Sequence, residues 1–135
     1  ALQLDALRRR AARGGTHERL LYGVGLQRVG RPVSAARAFE LAAQRAPTDP
    51  EAQVAAAVGL FDKAEPARAF GRLGPLTRRF PKEPTVRFHL GLLLLWTGRI
   101  DAAQRQFKLA SRTNPGAPLA REAGRYLETI RRARS

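Results

Sequence analysis

At 135 residues, 44% of them hydrophobic, the chain is long enough for one domain with its own core. It has no cysteine, which excludes disulfides and thiolate metal sites, and its longest apolar runs, such as Leu92 to Trp96, fall far short of the roughly 20 residues that span a bilayer. A formal charge of +14, from 25 Lys and Arg against 11 Asp and Glu, favours acidic partners, although ordinary solvated, arginine-rich helix faces account for it equally well.

Residues 1–15 offer Leu2, Leu4 and Leu7 in an amphipathic helix, broken by Gly14 and Gly15 and carrying the basic run Arg8, Arg9 and Arg10. Beginning at Ala1 with no methionine, the chain reads as a trimmed chain or a piece of a longer protein. A soluble domain is expected, cytoplasmic or the exposed part of something longer and anchored.

Beyond this helix the prolines keep a period. Pro47, Pro81 and Pro115 are 34 residues apart, Pro50, Pro84 and Pro118 step by the same 34, and Pro32 and Pro66 repeat the interval, leaving only Pro75 outside. Proline lacks an N–H and its ring collides with the preceding turn of a helix, so a proline that returns on schedule marks a boundary. The spacing predicts three segments, 16–49, 50–83 and 84–117, each of two short helices. Pro50, Pro84 and Pro118 stand in first turns, where the missing N–H costs nothing, and Asp49 is placed to cap one of them. Pro32 and Pro66 open the second helices. Gly30 and Gly98 supply the turn within the first and third segments, with Lys63 to Glu65 in that role in the second. Residues 118–135 gather Leu119, Ala123, Tyr126, Leu127 and Ile130 on one stripe of a final helix, which ends in Arg131, Arg132 and Arg134.

In the third segment Leu90, Gly91, Gly98, Ala103, Phe107, Ala110 and Pro115, and in the first Gly23, Gly30, Ala35, Phe39, Ala42 and Pro47, follow one order: an early glycine, a small residue, an aromatic, an alanine and a closing proline. The second is weaker, with Ala57, Ala69, Leu73, Leu76 and Pro81. This pattern, over about Thr16 to Pro115, resembles the tetratricopeptide repeat. The resemblance implies an all-α, right-handed α-solenoid of three 34-residue helix-turn-helix repeats, preceded by the N-terminal helix and closed by a C-terminal capping helix. Small side chains let paired helices approach, and Phe39 and Phe107 fill the gap to the next pair.

It also implies a concave groove lined by first helices: His17, Leu20, Val24 and Gln27, then Glu51, Val54, Val58 and Phe61, then Thr85, Phe88, Leu92 and Leu95. Eight of these twelve are apolar, so a peptide groove is expected at Leu20, Val24, Val54, Val58, Phe61, Phe88, Leu92 and Leu95. The clamp with which one subclass holds acidic chaperone tails would fall on Leu20, Val24, Ala55, Thr85 and His89, and none of its residues is kept. The arginines of the second helices, among them Arg37, Arg45, Arg72 and Arg105, would face the outer side, whereas a nucleic-acid reader of the related helical-repeat type places its contacts along the groove. The terminal clusters Arg8, Arg9, Arg10, Arg131, Arg132 and Arg134 are the candidate anion contacts.

Catalytic chemistry finds little support. His17 and His89 lie far apart with no Cys and no carboxylate cluster, and Ser34 and Ser111 have neither base nor orienting acid. The glycines of Gly23 to Gly30 lack nucleotide-loop spacing and follow no strand. No cofactor or metal is expected. The reading is a non-catalytic scaffold that binds an apolar or amphipathic protein segment. The alternatives are a self-association module, its groove filled by Leu2, Leu4 and Leu7 or by a second copy, and a basic scaffold for nucleic acid or an anionic surface.

Overall fold

The structure is a computed structural model describing residues 2–135, with residues 2, 3 and 13 described by their backbone alone. The described residues are all-helical, without a strand: α1 (Leu2–Arg13), α2 (Thr16–Arg28), α3 (Pro32–Arg45), α4 (Pro50–Val58), α5 (Ala67–Leu73), α6 (Leu76–Arg79), α7 (Pro84–Trp96), α8 (Ile100–Arg112) and α9 (Pro118–Arg134). Pro32, Pro50, Pro84 and Pro118 each stand in the first turn of a helix. Asp49 caps α4 by accepting from the N–H groups of Glu51 and Ala52 at 2.9 and 3.3 Å. None of the described helices is long and apolar enough to cross a membrane.

Two turns close in the same way. After α2, Gly30 at φ +77 donates to the Gln27 carbonyl at 3.1 Å and Arg31 to that of Leu26 at 2.8 Å. After α7, Gly98 at φ +79 donates to Leu95 at 3.0 Å and Arg99 to Leu94 at 2.8 Å. Both are Schellman caps, in which a left-handed residue turns the chain back to satisfy the helix's last carbonyls. Glycine is the residue that takes this conformation without a steric penalty.

The chain divides into two compact units, one ending at Leu60 and the other spanning Phe61–Ser135. In the first, α1 packs on α2, α2 on α3 and α3 on α4. Its core joins Leu26, Ala35, Phe39, Ala43 and Ala56, with Leu4, Leu20 and Tyr22 packed against them. Phe39 lies so close to Gly23 that a Cβ there would run into the ring. Pro47 leaves the Ala43 carbonyl without its helical N–H donor. The buried Gln53 of α4 supplies one instead, donating from Nε2 to Ala43 at 3.0 Å and to Ala46 at 3.4 Å. The schedule of prolines thus creates an unmet acceptor, and its partner lies on the next helix.

In the second unit α7 packs on α8, and α9 covers both. Phe107 is fully buried, its ring 5.9 Å from Phe88 and stacked on Tyr126 at 5.1 Å. Leu119, Ala123, Tyr126, Leu127 and Ile130 all join this core, so the stripe expected on the final helix is the one it buries.

The segment 50–83 departs from expectation. Its first helix stops at Val58, leaving Phe61 in the following loop, where the Asp62 side chain accepts from the Ala64 N–H at 2.9 Å. Residue 64 stands where Gly30 and Gly98 stand in the neighbouring segments, but alanine lacks their ease at positive φ. The second helix is split into α5 and α6 at Gly74 and Pro75. Pro75 has no N–H to continue the ladder, yet both residues keep right-handed helical angles, and Thr77 Oγ1 donates to the Gly74 carbonyl at 2.7 Å. The division between the two units falls within this segment, after Leu60.

Candidate functional site

In the second unit the apolar row of α7 is covered at its start and open at its end. Thr85 and Phe88 are buried, with Tyr126 of α9 edge-on to Phe88 at 5.7 Å. Leu92 and Leu95, one and two turns further on, are half-buried, and Trp96 is 48% exposed. Phe61, although in a loop, reaches the same place: its ring lies 5.7 Å from that of Trp96 at 55°. Thr97 holds this end of the helix, its hydroxyl 2.9 Å from the Leu93 carbonyl and 3.0 Å from that of Leu94. Beside the indole is a cavity of about 470 Å³ lined by Lys63, Pro66, Trp96, Thr97 and Gly98.

Phe61, Leu92 and Leu95 thus share this unit's surface, while Phe88, at 5% exposure, offers almost none. The resemblance puts Phe88 in the groove, but the final helix covers it with Tyr126. Trp96 falls outside the groove positions that the resemblance implies, because it follows the last of them, Leu95. The signal was a lone indole ending a run of four leucines.

In the first unit Val54 is 2% exposed and Val58 half-buried. Leu20 packs, with Leu4, against the Phe39 core, and Val24 keeps 37% of its surface. The N-terminal helix does approach this face. Leu4 and Leu7 lie over Gly25 and line, with Leu21, Val24 and Val29, a cavity of about 310 Å³. The side chain of Leu2, expected with them to fill the groove, lies outside the described residues.

The terminal arginines are largely engaged. Arg131 bonds Glu128, Arg132 reaches the same carboxylate at 3.0 Å, and Arg134 bonds Asp101 and Gln104, each at 2.8 Å. The hydrogen bond from Arg131 is the main cause holding the Glu128 carboxyl below its usual range, despite an opposing desolvation effect; Arg132 adds to the lowering. Three guanidiniums thus share two carboxylates. Arg8 stands 3.5 Å from Asp5, and Arg9 and Arg10 are exposed beside it.

His17 is exposed at the start of α2. His89 bonds back within its own helix, Nδ1 lying 2.7 Å from the Thr85 carbonyl. Among the described residues no group of three His, Asp or Glu side chains is placed to hold a metal ion. Compared with known proteins, the chain matches no protein-family model and no curated sequence.

Proposed function

We propose that the chain is a non-catalytic interaction scaffold of tetratricopeptide-like repeats that binds an apolar or amphipathic polypeptide segment. Its contact surface is the end of α7: Leu92, Leu95 and Trp96 with Phe61. Support for the repeat reading comes from helix starts at Pro50, Pro84 and Pro118, from the matched turns at Gly30 and Gly98, and from the matched contacts of Gly23 with Phe39 and Gly91 with Phe107.

The observation that carries the binding reading is the half-exposed indole of Trp96 leaning on Phe61. Aromatic anchors with one face packed and one free are what protein interfaces bury most profitably, because a rigid ring loses little entropy on docking. The cavity beside it has room for a partner's side chain, and Lys63 places a cation at its edge.

A photo-crosslinking phenylalanine analogue at Phe61, irradiated in lysate of the source cell, tests this. A distinct polypeptide attached there, and lost when Trp96→Glu is added, is the expected result. An adduct to this chain alone would replace the reading with self-association.

A further inference from the structure

The first unit carries a concavity of different chemistry. It is a cavity of about 350 Å³ whose lining includes Arg8 of α1, Arg19 and Tyr22 of α2, and Ala38, Leu41 and Arg45 of α3. Three helices each contribute one guanidinium. Tyr22 and Ala38 pack on the core beneath, giving the cavity an apolar side.

The charges are poorly matched within the chain. Among the described residues Arg19 and Arg45 have no carboxylate in ion-pair range, and Arg8 has only Asp5 at 3.5 Å, with both side chains more than half exposed. Glu18, next to Arg19 in sequence, accepts instead from the Gly15 N–H at 3.0 Å. Three cations against one carboxylate, Asp5 beside Arg8, leave an excess of two, close to the charge of about −1.5 to −2 on a phosphate monoester at neutral pH. Guanidinium forks match phosphate oxygens in geometry as well as sign. Bare phosphate would leave Tyr22 and Leu41 uncovered, so the cavity suits an anion with an apolar body, and its volume lies within the range of about 300–1,000 Å³ common for small-ligand sites.

We propose that this cavity binds a small aryl phosphate monoester, the phosphate held by Arg8, Arg19 and Arg45 and the ring against Tyr22 and Leu41. The site lies in the first unit and does not depend on the peptide-binding surface.

Titration of the full chain with phenyl phosphate, followed by NMR of the arginine and tyrosine side chains, tests it against inorganic phosphate and phenol. Phenyl phosphate is expected to saturate, to shift Arg19, Tyr22 and Arg45, and to bind at least about tenfold more tightly than either comparator. Arg45→Gln, at the exposed end of α3, and Arg19→Gln should each weaken it about tenfold. Arg121→Gln, which alters an arginine bonded to the Gly116 carbonyl in the second unit, should leave it unchanged. Equal affinity for inorganic and phenyl phosphate, equal loss in Arg121→Gln, or no saturation would overturn the proposal in favour of nonspecific attraction to a basic chain.

Discussion

A Cβ on Gly91 would stand 2.6 Å from the ring of Phe107, so α7 and α8 lie at a separation that only glycine permits at this point. The ring is fully buried and stacked on Tyr126, which leaves it little room to yield. Gly91→Ala is therefore expected to cost about 1–3 kcal/mol, the usual price of overpacking. Gly23→Ala, against Phe39, should behave alike. A thermal melt of either variant that matched the parent would show that the ring rotates away freely.

Gly124 presents the opposite case, lying inside α9 with open space where its Cβ would be. Gly124→Ala should stabilise by about 0.5–1 kcal/mol through helix propensity. Gly98 also has open space, but its φ of +79 strains any L side chain, so Gly98→Ala should destabilise by about 1–2 kcal/mol. Chemical denaturation of the two variants should move their midpoints in opposite directions, and movement in the same direction would contradict the assignment.

Gln53→Leu keeps the volume of the side chain and removes its donor. The Ala43 carbonyl, already deprived of a helical partner by Pro47, then has none from Gln53 either, a loss of about 1–3 kcal/mol for a buried acceptor. Equilibrium unfolding measures it; an unchanged midpoint would mean that solvent satisfies the carbonyl.

Glu128 gives α9 a pH-dependent end. Its carboxyl titrates below the usual range because the charged form is bonded by Arg131 and Arg132, so the stabilisation is complete above that range and disappears as pH falls through the lowered value. Amide signals of residues 131–134 should lose helical character on acidification in the parent and show no such step in Glu128→Gln. A step of equal size in both would assign it to another group.

The helices were legible because proline and glycine act locally. A missing N–H at Pro84 or a left-handed turn at Gly98 imposes its conformation whatever lies elsewhere, and each stands where its spacing predicts. The same rule applies in the second segment, where the chain turns at Lys63 to Glu65 without a glycine and Pro75 interrupts the second helix.

What the sequence by itself determined was the all-helical class, the helix starts at Pro32, Pro50, Pro84 and Pro118 and the buried stripe of α9, all consequences of backbone chemistry and the helical period. Only the tertiary structure decided which apolar side chains remain open. Phe88 and Trp96 lie on the same helix, yet one is covered by Tyr126 and the other leans half-exposed on Phe61. Likewise Arg19 and Arg45 share a cavity, while Arg131 and Arg132 share a carboxylate. Periodicity determines which side of its own helix a residue occupies; its exposure and partners depend on elements distant in sequence, because burial and pairing are properties of the assembled neighbours.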